Sequence, residues 1–123
     1  MKRSKIKIRE PKKYTLRFNI KNKDTFLLIQ KGVKTVETRA ATERYKDITS
    51  GDILILVCGK EKIEKKIKKS EHFKTITALL KRHSLKKIDP LVKDLKEAKK
   101  NWYSYPGYEE KIKTFGLMAF VLK

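Results

Sequence analysis

The sequence predicts a small α+β fold in which about five short strands form a barrel-like sheet flanked by short helices. Alternating or continuously apolar runs recur along the chain, and the clearest are YTLRFNI, ILILVC and LMAFVLK. Segments with helical spacing lie between such runs, which sets the order β, α, β, β, β, α, α, α, β. A chain of 123 residues suits one core. We therefore expect a single domain over residues 14–123, preceded by a basic, flexible arm over residues 1–13.

The first strand and the first helix follow from alternation and from end signals. From Tyr14 to Ile20, apolar side chains alternate with polar ones, as in a half-buried strand. Asp24 can cap the helix that follows, and Gly32 can supply the left-handed residue that ends it. The chain then enters a second strand over residues 34–40.

The middle of the chain predicts a hairpin. The run over 53–58 is continuously apolar, which predicts a strand covered on both faces, with Cys58 as a small buried thiol. The turn signal Gly59-Lys60 then favours a returning antiparallel strand over residues 60–73. A helix stays the alternative there, because two isoleucines are four residues apart and lysine favours helices.

Helical spacing predicts three short helices towards the end of the chain. The first covers residues 74–83. The second begins with Asp89 as its N-cap and Pro90 at its first position. Its expected buried stripe consists of Leu91, Leu95, Ala98 and Trp102. The third follows the break at Pro106 and ends at Gly116, after which LMAFVLK forms the last strand.

Charge indicates the class of partner. The chain has 33 Lys+Arg against 14 Asp+Glu, a formal net charge of +19 with a pI near 10.1, so phosphate polyanions are the expected partners. Most of the excess is lysine, and a general bias towards lysine is the alternative explanation. The charge is clustered, however: residues 2–13 hold seven basic groups and one acid, and residues 60–69 hold six lysines and two acids. Clustering favours a phosphate-facing surface.

Several classes of function are not expected from the composition. No apolar run is long enough to span a bilayer and the first residues do not resemble a signal peptide, so we expect a cytoplasmic protein without a membrane partner. His72, His83 and Cys58 do not have metal-ligand spacing, and we interpret both histidines as structural. The glycines are scattered singly, without a phosphate loop. We expect no cofactor and no metal, and we favour a monomer.

The second predicted strand carries the most informative motif. Gly32 is followed by Lys34, Glu37 and Arg39 within KGVKTVETRA. Strand alternation puts Glu37 and Arg39 on the same face, with Lys34 at the turn from helix to strand. A cation, an anion and a second cation would form a compact polar site. The alternative interpretation is an ion-paired strand edge that opposes aggregation.

With this motif and two later landmarks, the chain resembles the ASCH domain, a member of the PUA-like superfamily. The motif matches the family pattern Gly-x-Lys-x-x-Glu-x-Arg, and the resemblance extends from Tyr14 to Leu122. The other landmarks are Gly51-Asp52 before a hydrophobic strand and Phe115-Gly116 before the last one. The resemblance implies a PUA-like barrel with a cleft that binds RNA, nucleotides or modified nucleosides.

The resemblance implies binding roles for the motif residues. Glu37 would accept hydrogen bonds from a base, Arg39 would orient that carboxylate or hold a phosphate, and Lys34 would neutralise an oxyanion. Further binding residues are expected at Arg44 and Lys21. Bases could also stack on the tyrosines that flank Pro106, which are Tyr103, Tyr105 and Tyr108, with Tyr103 and Tyr105 the favoured pair. Packing around that turn is the alternative use of these rings.

Two other functions stay open. Some members of the broad family hydrolyse N4-acetylcytidine with the motif lysine and a threonine at the position of Glu37. Lys34 matches and Glu37 departs, so Lys34 and Glu37 would be the catalytic pair only if the glutamate served as general base. The other alternative is an accessory module that contacts ribonucleoprotein partners. The leading interpretation is an RNA-binding or nucleotide-binding domain.

Overall fold

Five strands form one mixed sheet in residues 10–123, the part of the chain that the structure, a computed structural model, describes. The strands are β1 (Lys13–Phe18), β2 (Val36–Ala40), β3 (Ile53–Cys58), β4 (Glu61–Phe73) and β5 (Leu117–Leu122). The helices are α1 (Lys23–Gln30), α2 (Ile76–Arg82), α3 (Leu85–Ile88), α4 (Leu95–Tyr103) and α5 (Tyr108–Phe115), and a 3-10 turn (Ile20–Asn22) precedes α1. Most of the predicted arm, residues 1–9, lies outside the described residues.

The strand order across the sheet is β1-β3-β4-β5-β2. β1 pairs with β3 in parallel, and the other neighbouring strands are antiparallel. The sheet forms a half-barrel flanked by short helices, which confirms the predicted α+β class.

Strand β4 joins the two halves of the sheet. Its first part, Glu61–Lys66, pairs with β3, and its second part, Ile67–Phe73, pairs with β5. The register shifts between Ile67 and Lys69, where the strand has a bulge. A bulge bends a strand and increases its twist, so this position contributes to the curvature of the half-barrel. The predicted strand over 60–73 is confirmed, and the helical alternative is wrong.

Strand β5 separates two hydrophobic cores. The first core, under α1, contains Leu16, Phe26, Ile29, Ala41, Ile48, Leu54, Leu56, Cys58, Ile67, Met118, Phe120 and Leu122. The second core, under the C-terminal helices, contains Val36, Phe73, Ile76, Leu79, Ile88, Ala98, Trp102, Ile112, Leu117 and Ala119. Successive β5 residues therefore point into different cores, as strand alternation requires.

The strand covered on both faces is β5, so the prediction of two covered faces for β3 is wrong. Leu54 and Leu56 are fully buried, but the alternate residues Ile53 and Ile55 are only half-buried. Only one face of β3 lies over the first core. The first strand is also shorter than predicted, because the chain turns after Phe18 and leaves 63% of Ile20 exposed.

The helix predicted to begin at Pro90 begins at Leu95. Asp94 caps it, since its carboxylate accepts from the main-chain N–H of Glu97 at 2.9 Å. Glu97 in turn accepts from the main-chain N–H of Lys93 at 3.1 Å. These contacts resemble a capping box in which the glutamate reaches one residue further back, and they fix the helix start. Of the expected stripe, only Ala98 and Trp102 are buried, whereas Leu91 and Leu95 are exposed.

The motif glycine Gly32 and the landmark Gly51-Asp52 have clear structural roles. Gly32 has φ +79° and ends α1, as predicted. At the second landmark, Asp52 is fully buried and its carboxylate accepts from the main-chain N–H groups of Lys12 and Thr49, each at 3.0 Å. Asp52 therefore fixes the chain at the start of both β1 and β3.

Replacing Gly116 with alanine should strongly destabilise the fold. A Cβ there would lie 2.4 Å from the Phe73 carbonyl oxygen and 2.7 Å from Nε2 of His72. The backbone has φ 79° and ψ −164°, a region that only glycine occupies readily. We expect Gly116→Ala to lower the free energy of unfolding by about 3 kcal/mol or more, measured by urea denaturation.

The matched control is Gly51→Ala. Gly51 also has positive φ (+91°), but an added Cβ there meets nothing within 4 Å. We expect a loss of only about 1 kcal/mol from backbone strain. Equal losses in the two variants would show that contact with β4 does not explain the requirement for glycine at position 116.

Candidate functional site

Lys34 is a buried cation at the junction of α1 and β2. Only 4% of the residue is exposed. Its ammonium group donates to the carbonyl oxygens of Val36, at 2.7 Å, and Ile88, and lies 3.2 Å from Oε1 of Glu37. An ammonium group has three N–H donors, and these acceptors use all three. Lys34 therefore links β2 to the C-terminal end of α3.

Glu37 lies between two cations. Oε1 faces Lys34, and Oε2 accepts from Nε of Arg39 at 3.1 Å. Burial alone would raise the pKa of the Glu37 carboxyl, but the charges and hydrogen bonds of Lys34 and Arg39 outweigh burial and hold that pKa below its ordinary value. Glu37 is therefore ionised at neutral pH.

Arg39 presents one edge to Glu37 and leaves the other open. Its guanidinium carbon lies 5.4 Å from the ring centre of Phe18 and 5.7 Å from that of Tyr45. The terminal Nη1 and Nη2 groups have no hydrogen-bond partner within residues 10–123. Since no buried side-chain nitrogen or oxygen of those residues lacks a partner, these groups must reach solvent. Arg39 is thus held by Glu37 and two aromatic rings and keeps free donors.

Two tyrosines complete the surroundings. The Tyr108 hydroxyl accepts from the main-chain N–H of Ala40 at 2.8 Å, and the Tyr105 ring meets the Tyr108 ring edge-on, with 5.6 Å between centres. Burial is the main cause that raises the pKa of both phenols, and the Glu37 charge adds to it. Both hydroxyls are therefore neutral at physiological pH. We call the site formed by Glu37, Arg39, Phe18, Tyr45 and Tyr108 the Arg39 recess.

The other predicted binding residues differ in their contacts with the recess. Arg44 lies over the ring of Tyr45, 5.5 Å from its centre, and is exposed. Lys21 is exposed in the 3-10 turn, beside Asn22, whose amide group donates to the Tyr105 hydroxyl at 3.4 Å. Arg44 therefore adjoins the recess through Tyr45, and Tyr105 adjoins it through Tyr108, whereas Lys21 only precedes Asn22 in the chain.

Tyr103 does not join this site. It lines a separate cleft together with residues of α2 and α5. The tyrosines predicted to stack a base are thus divided between two surfaces, because Tyr103 lies in the last turn of α4 whereas Tyr105 follows that helix. Their spacing along the chain carried no sign of this division.

The sequence did not indicate that Phe18 and Tyr45 lie against Arg39. Phe18 was predicted as a core residue of the first strand, and Tyr45 lies in a segment without periodic pattern. Tyr108 was among the tyrosines around Pro106 that the sequence indicated as possible stacking residues. The neighbouring hydroxyl of Thr38 points the other way, where it accepts from the indole N–H of Trp102 at 3.1 Å.

Both histidines make structural contacts. Nε2 of His72 lies 2.8 Å from the carbonyl oxygen of Phe115, and Nε2 of His83 lies 2.8 Å from Oε1 of Glu71. Within residues 10–123, no group of three or more His, Cys, Asp or Glu side chains could hold a metal ion. None of the helices in these residues is long and apolar enough to cross a membrane.

The fold has counterparts among solved structures. The crystal structure of hypothetical protein PH0355 is similar with a TM-score of 0.78 and 25% identity, over 90% of this chain and 97% of that one. The solution structure of protein PF0455 from Pyrococcus furiosus is similar with a TM-score of 0.71 and 22% identity, over 90% of this chain and 96% of that one. A scan against protein families and a search among curated proteins give no match.

Replacing Glu37 with glutamine should destabilise the protein in a pH-dependent way. The change leaves Lys34 buried without its carboxylate, and breaking a buried ion pair from one side costs roughly 3 kcal/mol or more. The folded-state pKa of Glu37 lies below its ordinary value of 4.5. The stabilisation that the ionised carboxylate provides is therefore fully present above about pH 4.5 and is lost as the pH falls through the folded-state pKa. Urea denaturation of both proteins from pH 7 to pH 3 should show the difference shrinking below about pH 4.5.

The control is Glu43→Gln, which removes the same charge from an exposed ion pair with Lys46. Exposed pairs contribute little to stability, so this variant should match the wild type across the pH range. A Glu37→Gln variant as stable as the wild type at pH 7 would contradict the buried-pair explanation.

Proposed function

We propose that this protein is an RNA-binding or nucleotide-binding domain of the ASCH type, in which the Arg39 recess receives one base and exposed lysines hold phosphates. The observation that supports this proposal is the open edge of the Arg39 guanidinium. A guanidinium fixed by Glu37 and lying against the rings of Phe18 and Tyr45 is prepared for a ligand before the ligand arrives.

The surroundings of Arg39 favour a base over a phosphate. The Arg39 side chain is only 18% exposed, and the groups around it are flat aromatic rings. A planar base can enter such a site edge-on and accept two hydrogen bonds from the terminal guanidinium nitrogens, as guanine does through O6 and N7. A solvated phosphate is matched better by the exposed lysines.

Lys34 and Glu37 would act as positioning residues in this proposal. Lys34 fixes the Glu37 carboxylate, and Glu37 fixes the guanidinium of Arg39. The charges of Lys34 and Glu37 cancel each other, so the ligand meets the remaining positive charge of Arg39. Glu37 has further lone pairs, and it could accept a base N–H only at the side that Arg39 leaves open.

The phosphate surface would lie on β4. Its two acids near β3 are already paired, Glu61 with Lys23 at 3.2 Å and Glu64 with Lys13 at 3.6 Å. The exposed lysines of this region that have no carboxylate within 4 Å in residues 10–123 are Lys60, Lys62, Lys66 and Lys68. Free cations of this kind release counterions when they meet a nucleic acid.

Replacing Arg39 with lysine should reduce discrimination between RNA sequences. Lysine keeps the charge but loses the planar pair of donors. We expect a loss of about 1 to 3 kcal/mol for the best of four 12-mers, oligo(A), oligo(C), oligo(U) and a GU repeat, and a smaller loss for the others. Fluorescence anisotropy in 50 mM and 200 mM salt measures this, below the melting temperature of each variant.

The matched control is Arg82→Lys, since Arg82 pairs with Glu71 at 2.9 Å on another surface. It should bind like the wild type. Wild-type affinity should also fall with salt, with a log–log slope near −0.7 for each phosphate contacted. The proposed function would be contradicted if Arg39→Lys lost the same affinity for all four RNAs, or if binding did not depend on salt.

No contact of residues 10–123 favours the amidohydrolase alternative. All three Lys34 donors are engaged, the lowered pKa of Glu37 makes its carboxylate a weak base, and the Thr38 hydroxyl faces Trp102. We therefore expect N4-acetylcytidine to yield no cytidine when incubated with the protein and followed by chromatography. Hydrolysis that disappears in Lys34→Met would replace our proposal with the enzymatic one.

A further inference from the structure

A second cleft, which we call the Tyr103 cleft, lies on the side of the protein formed by α2, α4 and α5. Its volume is about 300 Å³, and its lining residues are Lys74, Thr75, Ile76, Thr77, Lys99, Tyr103, Ile112 and Lys113. Ile76 and Ile112 are buried and form an apolar floor. The rim is polar and basic. None of these residues belongs to the Arg39 recess.

The charge of the Tyr103 cleft has one sign. None of its lining residues is acidic. Lys74 and Lys99 have no carboxylate within 4 Å in the described part of the chain, and Lys113 has only Glu109, at 3.6 Å in an exposed pair. Exposed pairs of this kind are weak and yield readily to another anion. Three lysines therefore face a space that suits an anionic group.

Tyr103 adds an aromatic surface to these cations. The residue is 37% exposed, and its ring and hydroxyl make no aromatic contact or hydrogen bond within residues 10–123. Tyr105 and Tyr108, in contrast, contact each other and are hydrogen-bonded. An exposed aromatic ring beside unpaired cations is the combination with which proteins stack bases and hold the backbone of single-stranded nucleic acids.

We infer that the Tyr103 cleft binds one nucleotide unit of single-stranded RNA, with a base stacked on Tyr103 and the adjoining phosphates on Lys74, Lys99 and Lys113. A volume of about 300 Å³ is at the lower end of the range for ligand sites, which suits one nucleotide. This inference does not require a base in the Arg39 recess. Tyr103 and Tyr105 are two residues apart, so their Cα atoms are at most about 7 Å apart and one RNA strand could contact both surfaces.

The test measures binding of a fluorescein-labelled oligo(U) 12-mer and an oligo(A) 12-mer by anisotropy. Tyr103→Leu keeps an apolar side chain but removes the π face, and it should lower the affinity for both RNAs about fivefold or more. Tyr103→Phe keeps the ring and should bind within about twofold of the wild type, since stacking needs no hydroxyl. Urea denaturation of both variants shows whether each is folded.

The lysines are tested by the double variant Lys74→Gln/Lys99→Gln. It should weaken binding and make the log–log salt slope shallower by about 1.4, or 0.7 for each phosphate that is no longer neutralised. The control, Lys86→Gln/Lys93→Gln, removes the same charge at exposed positions outside the cleft and should leave the slope unchanged. Equal slopes for the two double variants would overturn the inference.

Two further outcomes would overturn it. Suppose that Tyr103→Leu binds RNA as tightly as the wild type does, and that inorganic polyphosphate competes for the protein as well as RNA does. The cleft would then hold anions without a base. Equal losses in Tyr103→Leu and Tyr103→Phe would mean that the ring does not stack. Failure of the proposed function is a separate result, because Arg39→Lys is measured by preference between RNA sequences and Tyr103→Leu by affinity for all of them.

Discussion

The arrangement of this protein around its candidate site depends on one constraint, which is that the buried carboxylate of Glu37 must be paired. Burying a charge without partners is too costly for a small domain. The chain meets the requirement with Lys34 on one oxygen and Arg39 on the other. Because Lys34 also donates to the carbonyl oxygen of Ile88, the same ion network links α1, β2 and α3. The candidate site and part of the tertiary structure thus share one set of contacts.

The curvature of the sheet determines what surrounds this network. Glu37 and Arg39 are paired in register with Phe120 and Met118 of the first core, whereas Thr38 is paired with Ala119 of the second. The charged residues of β2 therefore lie on the concave face of the half-barrel, where aromatic side chains of β1 and of the loop after β2 reach the guanidinium. A flat sheet would leave these groups apart. The β4 bulge, remote in sequence, contributes to bringing them together.

If the proposed function holds, the two candidate surfaces and the β4 lysines would make different contributions to recognition. The Arg39 recess has few free donors, fixed orientation and little exposure, which suits selective contact with one base. The Tyr103 cleft and the β4 lysines have accessible cations on long side chains, which suit sequence-independent contact with a phosphate backbone. The net charge of +19 supports attraction to any polyanion. Selectivity would then come from the small rigid site and affinity from the lysines.

The sequence by itself determined the fold class and the shared face of Glu37 and Arg39, which follow from local periodicity. It also determined the strand over residues 60–73, which follows from the turn signal at Gly59-Lys60. It misplaced the start of α4, which begins at Leu95 because the Asp94 carboxylate, and not that of Asp89, caps the helix. Tertiary structure alone decided that Lys34 is buried with all its donors engaged, that Phe18 and Tyr45 lie against Arg39, and that Tyr103 and Tyr105 face different surfaces. Such contacts join residues far apart in the chain, and local pattern carries no information about which distant side chain will meet them.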